Sequence, residues 1–477
     1  MESLSIFVGQ LISFAWGLPI VFIIPAYLYF TFKTKFIQKK LFKGLKLALT
    51  RQEQYGQGEL SPFHTFCTEL GVTFGVGNVI GVATAIIVGG VGAVFWVFAI
   101  SFLGVSVKYC EAYISTKFRQ KTITGDIVSG VVVVYDKVFK MKKVAILFAV
   151  LCLISSTVRL FSMQVRFICD FCNTTFDVPI LPTELVVVSI IAFFVFLGTT
   201  FIAHFASKIT IPVVCIYFIL CFTILFTRLE YIVPALAAIL RGTFSFESLS
   251  GGIIGSSIFM AFKEGSRIGL YSTEAGMGEL SVVGAQAKTR NPFRQAIISS
   301  TITFLDGAVC CPLTGLVVVI TLLHSPNLID TSNISGKYII DMAFSCIPKL
   351  GAPLLAMVVL VFAFTMAVTS YVVVKNFFVF LFKNVNIIKF KIIYLFCGSF
   401  IGLIFAKKEY WEFLYFIDVF KVGLTLWGIF LLRDIIIRET KEYSVGNRVD
   451  VIKDTVILYK EVEQNIQNKK IKISILK

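Results

Sequence analysis

Eleven apolar runs, near residues 4–32, 63–89, 91–115, 143–169, 184–203, 208–228, 247–283, 294–323, 351–382, 387–406 and 411–433, divide the sequence. Each is long enough to cross the ~30 Å hydrocarbon core of a bilayer as a helix. In lipid every backbone N–H and C=O needs a partner within the protein, so runs of this kind are predicted as helices. Apolar and aromatic residues make up 57% of the chain and charged residues only 15%, which excludes an ordinary soluble domain. No stretch between the runs is long enough for a soluble catalytic domain, so an enzyme is not expected. The fold class is an all-α polytopic membrane protein.

The net charge of +16 would suggest a nucleic-acid partner in a soluble protein. Here its placement decides, because basic residues collect on the cytoplasmic side of membrane proteins. Residues 33–51 carry seven basic residues and no acid, interleaved with apolar ones, and read as a basic amphipathic segment on the lipid of an anionic inner leaflet. The loop 117–143 is also rich in Lys and Arg, whereas 170–184 holds three acids and no base. This alternation puts the N-terminus outside and the C-terminus in the cytoplasm, in a cell inner membrane. The first run lacks a basic start and a cleavage site, so it is expected to be a retained helix. The Cys and His residues show no metal spacing, and no metal or cofactor is expected from them. Nothing in the sequence fixes an oligomeric state.

Two membrane segments are interrupted. In Thr68–Ala83, Gly71, Gly75, Gly77 and Gly81 fall within eleven residues beside Thr73 and Asn78. Each Gly weakens a helix by ~1 kcal/mol relative to Ala, and a backbone group freed in lipid must face a cavity. In Phe262–Gly278, four charges and four glycines share one span, and charge within a membrane defaults to a functional role. Broken helices in corresponding positions of two halves point to the midplane site of a secondary transporter, with bare N–H groups for a carboxylate and bare C=O groups for a cation. The same glycines are also small-xxx-small pairs, the ordinary device for close helix packing. Lys108 and Glu111, one turn apart, are expected to stabilise each other. Arg159 and Arg166 share a helix face; Arg159 either faces the site or pairs with an internal acid such as Glu69, Glu274 or Asp306, and Arg166 snorkels to the interface.

The stretches Thr73-Phe74-Gly75-Val76-Gly77-Asn78-Val79-Ile80-Gly81-Val82-Ala83, Gly89-Gly90-Val91-Gly92-Ala93-Val94-Phe95-Trp96, Lys108-Tyr109-x-Glu111 and Ser272-Thr273-Glu274-Ala275-Gly276-Met277-Gly278, followed by Pro292, Gln295 and Phe304-Leu305-Asp306, occur in a fixed order from about residue 60 to 320. They resemble the signature of the alanine or glycine:cation symporter family (sodium:alanine symporter-like amino acid carriers). The resemblance implies a five-plus-five inverted repeat of the leucine-transporter type with two discontinuous helices and one extra N-terminal helix. The divisions are then an extra helix at 1–32, the basic segment at 33–58, a first repeat at 59–245 broken near 75–81, a second at 246–433 broken near 263–276, and a cytoplasmic tail at 434–477.

The resemblance further implies cation-coupled symport, with sodium as the coupling ion, of a small neutral amino acid such as alanine or glycine, by alternating access. The substrate would meet Gly75, Val76, Gly77, Asn78, Gln164, Phe262, Gly265, Gly269 and Ser370. The ion would meet Gly71, Thr73, Phe74, Asn78 and Thr365. Glu69, Arg159, Arg267, Glu274 and Asp306 are structural or gating charges. Met366 stands where the family has a hydroxyl, and Ser370 where it has a tryptophan. A second reading therefore keeps the fold with a larger or more polar amino acid and proton or no coupling, or with a non-transporting sensor or channel role.

Overall fold

The computed structural model describes residues 17–50, 58–122, 125–244, 258–289, 291–325, 335–382, 386–404 and 408–445. The chain is a helical bundle. Helix α1 (Gly17–Lys33) leads through a left-handed turn at Lys35 and Phe36 into the short amphipathic α2 (Leu41–Leu49). Next, α3 (Pro62–Thr73) starts where Pro62 needs no N–H partner and the Ser61 hydroxyl caps the His64 amide at 3.2 Å. Then come α4 (Ile80–Gly89), α5 (Ala93–Lys117), a two-strand ribbon pairing β1 (Gln120–Lys121) with β2 (Ile127–Val128), α6 (Lys142–Phe176) and α7 (Ile180–Leu197). They are followed by α8 (Thr199–Thr227), α9 (Ile232–Phe244), α10 (Ile258–Thr273), α11 (Pro292–His324), α12 (Gly336–Phe344), α13 (Gly351–Leu381), α14 (Ile387–Ile404), α15 (Lys408–Leu431) and α16 (Arg433–Val445).

Among the described residues, six helices (α5, α6, α7, α8, α11 and α13) are long and apolar enough to cross a membrane by length and composition. The first interrupted run is divided into α3 and α4, of 12 and 10 residues, each too short to span alone. The expected run at 4–32 lies partly outside the described residues, as does that at 247–283. Apolar side chains of α7 such as Leu185, Val186 and Phe193 point outward, as a lipid-facing helix requires.

Helix α5 is central, packed between α1, α10 and α11. The close approach of α10 depends on its glycines. A Cβ on Gly265 would lie 2.4 Å from the Ala93 carbonyl oxygen, and one on Gly269 would lie 3.0 Å from Ile100 Cβ. These two positions therefore act as helix-packing contacts, and α10 runs unbroken through 263–273. The second interruption comes later than 263–276 suggested: the chain leaves the helix at Glu274, which has φ 48°, and turns through Gly276 and Gly278 at φ 93° and 73°. Glycine tolerates this left-handed backbone without a Cβ clash.

The tail expected at 434–477 is not wholly an extension. Its first part, α16, docks on the bundle: Glu439 pairs with Lys117 and Tyr113, Thr440 and Tyr109 share a hydrogen bond of 2.8 Å, and Tyr443 stacks on Phe293 at 5.4 Å. Residues 446–477 lie outside the described residues.

Candidate functional site

The first interruption is local. Helix α3 stops as Phe74 turns extended, Gly75 is fully extended with φ −131° and ψ −177°, and a single tight turn, Val76–Asn78, precedes α4. The amides of Val76 and Gly77 have no hydrogen-bond partner among the described residues, because neither half-helix reaches them. Gly75 is held close to its neighbour on α13, since a Cβ there would come within 2.5 Å of Met366 Sδ. At Gly77 nothing lies within 4 Å of an added Cβ, so this backbone faces open space.

That space is a cavity of about 510 Å³. The break supplies Thr73, Gly75, Val76, Gly77 and Asn78 to its wall, and α4 supplies Ile80, Gly81 and Thr84. From α6 come Arg159, Met163, Gln164, Arg166, Phe167 and Asp170; from α10 and the turn after it, Arg267, Ile268, Tyr271, Ser272 and Glu274. Met366 on α13 and Leu414 and Asp418 on α15 close it. Gln164 Oε1 is buried without a partner, a polar atom left for a ligand.

Four of the expected substrate residues sit elsewhere. Gly265 and Gly269 face α5, and Phe262 makes an edge contact with Trp96 at 4.7 Å. Helical periodicity explains this: the α10 face that packs on α5 cannot also face the cavity, which receives Arg267, Ile268 and Tyr271 instead. Ser370 is buried, donating to the Ala367 carbonyl and sharing a 2.8 Å hydrogen bond with the Tyr394 hydroxyl. A serine here fills space beside Tyr394 and adds none to the cavity.

Of the expected ion residues, Thr73 lines the cavity while its hydroxyl donates to the Glu69 carbonyl at 2.7 Å. Phe74 is buried against Phe362. Gly71 abuts α13 and α8, an added Cβ falling 2.9 Å from Thr365 Cγ2 and 3.1 Å from Thr210 Oγ1. The hydroxyls of Thr365 and Thr210 are both buried without a hydrogen-bond partner. Asn78 donates its side-chain amide to the Thr73 carbonyl at 3.2 Å and to Asp306 Oδ1 at 2.7 Å. Asp306 lies on a π-helical turn of α11, Phe304–Cys310; it is wholly buried, and its Oδ2 has no partner. π-turns displace one residue from the α-helical register and recur at functional sites.

Arg159 occupies a second π-turn, Thr157–Ser162 in α6. Its guanidinium bonds Glu274 Oε1 at 2.7 Å and Glu279 Oε2 at 2.6 Å, which fits the pairing reading with Glu274 as one partner. Glu279 also pairs with Lys421, which meets Asp418 at 2.6 Å and Ser155 Oγ at 2.7 Å. Asp418 in turn accepts from the Tyr271 hydroxyl at 3.1 Å. Two cations and three acids thus tie α6, the turn after α10 and α15 together beside the cavity. The sequence reading passed over Glu279, Asp418 and Lys421. The signal was present, since Asp418 and Lys421 are charges within the apolar run at 411–433. Arg267 pairs along its own helix with Glu264 at 2.5 Å, and Arg166 with Asp170 at 2.9 Å, so Arg166 is held by a neighbouring acid at the cavity's more exposed end. Lys108 and Glu111 do not bond each other: Glu111 Oε1 instead caps the amides of Gly276 and Gly278 at 2.6 and 3.3 Å.

Residues 1–455 match the model of the sodium:alanine symporter family. A sodium/alanine symporter, AgcS, of Methanococcus maripaludis is 29% identical over 441 residues, covering 91% of this chain and 95% of that protein. A probable sodium/glutamine symporter, GlnT, of Bacillus subtilis is 26% identical over 462 residues, covering 96% and 94%. A protein of Haemophilus influenzae named only as a transporter is 29% identical over 440 residues, covering 90% and 94%. A manganese transporter structure from Eremococcus coleocola covers 85% of this chain and 93% of its own at 12% identity and a TM-score of 0.45, a likeness too loose to carry an argument. The match along nearly the whole sequence leads to one conclusion: the chain belongs to the sodium:alanine symporter family, whose members are multi-pass membrane carriers.

Proposed function

We propose that the protein is a sodium-coupled symporter of a small neutral amino acid such as alanine or glycine, moving its substrate by alternating access across an inner membrane. The observation that carries this reading is the break at 74–79, which brings unpartnered amides, Asn78 and Gln164 to one cavity wall. A substrate carboxylate suits the amides of Val76 and Gly77 beside the start of α4, where the helix dipole favours negative charge. The charged groups in the wall are already paired, Arg159 with Glu274 and Arg166 with Asp170 within the wall, and Arg267 with Glu264 and Asp418 with Lys421 outside it, which favours a substrate without net charge. The coupling cation suits the carbonyls of Gly71 and Phe74 with the Thr365 hydroxyl, because sodium prefers oxygen donors and Met366 offers only sulfur. Asp306 Oδ2, buried and unpartnered behind Asn78, is a further oxygen for it.

In this reading eleven spans form a five-plus-five inverted repeat after the N-terminal helix, with the basic loops inside, the N-terminus outside and the C-terminus in the cytoplasm. Transport proceeds by rocking of helix groups about the fixed site. Uptake of labelled alanine and glycine into proteoliposomes is expected to rise with an inward sodium gradient. Absence of gradient-dependent uptake of any neutral amino acid sinks the proposal. The cavity volume, together with the glutamine symporter among the relatives, favours a second reading in which a larger polar amino acid is carried. Competition of unlabelled glutamine against labelled alanine decides between them.

A further inference from the structure

Helices α3 and α8 start at the same end of the bundle and run alongside each other. At their first contact His64 of α3 meets His204 of α8, with ring centroids 5.6 Å apart and ring planes at 77°. About two helical turns further along both helices, Gly71 abuts Thr210, where an added Cβ would fall 3.1 Å from Thr210 Oγ1. His64 is half-buried and His204 exposed, so the pair is open to its surroundings at that end. Neither imidazole has a hydrogen bond or an ion pair among the described residues. Phe63 flanks His64 with its ring centroid at 6.2 Å, and Lys208 follows His204 by one turn of α8.

The spacing of the two rings decides what they can do together. Neutral imidazole is the commonest metal ligand among side chains. Zinc binds imidazole nitrogen at ~2.0–2.1 Å with tetrahedral angles, which sets the centroids of two bound rings ~5–5.5 Å apart. The observed 5.6 Å therefore needs no movement of either helix, only rotation of the side chains. The two residues are far apart in the sequence, which is why their spacing there carries no metal signature. The helices they join also matter. Helix α3 ends at the break whose Val76 and Gly77 line the cavity, so a bond from its start to α8 restrains one half of the interrupted helix.

We propose that His64 and His204 form a binding site for a divalent transition-metal ion, zinc foremost, and that the bound ion inhibits transport by fixing α3 to α8. The two imidazoles supply two of four tetrahedral positions and water fills the others, so the ion is exchangeable and forms no part of the fold itself. Magnesium, which takes oxygen ligands, does not compete. Zinc binding stands on the geometry of the pair alone, whereas inhibition rests on the transporter reading above.

The test titrates zinc chloride into the untagged full chain in detergent and follows the heat of binding. One zinc ion per chain is expected at this site, with no heat from magnesium chloride. His204→Ala and His64→Gln are each expected to weaken binding at least ~tenfold, the lower end of what changes behind a metal ligand cost, while His324→Ala leaves it unaltered. Absence of zinc binding by the unaltered protein, or undiminished binding in either variant, overturns the proposal. Should His64→Gln fail to reach the membrane, His204→Ala decides alone, because an exposed side chain is not needed for folding. In proteoliposomes with zinc on both sides, uptake of labelled alanine is expected to fall and to return on adding EDTA, and His204→Ala is expected to transport equally with and without zinc. Inhibition that persists in His204→Ala, or zinc binding without inhibition, overturns the link between α3 and α8. Absence of zinc-free uptake of alanine, glycine and glutamine defeats the transporter reading, whereas the heat of zinc binding decides the metal site independently.

Discussion

The Asn78 side-chain amide donates to Asp306 Oδ1 at 2.7 Å, joining the break between α3 and α4 to the π-turn of α11. Both residues are buried, so this bond fixes the orientation of Asn78 at the cavity wall and leaves Asp306 Oδ2 available. An interrupted helix and a helix with a displaced register meet at one polar point. Neither irregularity would be stable in lipid without such a partner.

Asp306→Asn is expected to uncouple substrate binding from sodium. A hydrogen bond involving a charged group is worth ~1.5–3 kcal/mol, which corresponds to substrate affinity in sodium falling by roughly ten- to a hundredfold. Thermal-shift titration of the purified protein with alanine in sodium and in choline buffer measures it. Equal sodium dependence in the variant and the unaltered protein would remove Asp306 from the ion site.

Gly265→Ala and Gly77→Ala should separate packing from binding. The first puts a methyl 2.4 Å from the Ala93 carbonyl oxygen and is expected to lower stability by ~1–3 kcal/mol. The second meets nothing within 4 Å and should leave the melting temperature unchanged while weakening substrate binding. Melting curves in detergent with and without amino acid distinguish the two.

Lys421→Met leaves Glu279 and Asp418 without their shared ammonium. Glu279 keeps Arg159 at 2.6 Å, but Asp418 loses its ion-pair partner, and removing one member of a buried ion pair costs ~3–5 kcal/mol. The double change Lys421→Met with Asp418→Asn is expected to recover part of that loss. Additive losses in a double-mutant cycle would show that the two residues do not interact.

Glu439→Ala should release α16. The change removes the carboxylate that pairs with the Lys117 ammonium, which is 1% exposed at its side chain, and the acceptor for the Tyr113 hydroxyl. Protease is expected to cleave near residue 433 in the variant under conditions that leave the unaltered protein intact. Unchanged cleavage kinetics would mean that the Tyr443–Phe293 stack and the Thr440–Tyr109 bond hold the helix alone.

Ser370→Ala removes the hydroxyl bonded to Tyr394 and does not touch the cavity wall. Substrate affinity is expected to stay unchanged with a small loss of stability, of about 1 kcal/mol for one neutral hydrogen bond. A large change in affinity, read by the same thermal-shift titration, would return Ser370 to the substrate site.

Sequence alone determined the lipid environment, the helical class, the first interruption, and the short list of buried charges that includes Glu69, Arg159, Glu274 and Asp306. Those properties are local: hydropathy over some twenty residues, four glycines within eleven, or an ion inside an apolar run can each be read from neighbours in the chain. Tertiary structure decided which glycines separate helices and which bring them together. Gly265 and Gly269 are pressed against α5, while Gly276 and Gly278 carry the left-handed turn. It also decided the partners of each charge. Arg159 meets Glu274 and Glu279 across 115 and 120 residues of sequence, and Lys421 reaches Glu279 across 142. The physical reason is common to both. A helix face or a buried ion is satisfied by whatever the fold brings opposite it, and that opposing surface is built from residues far away along the chain.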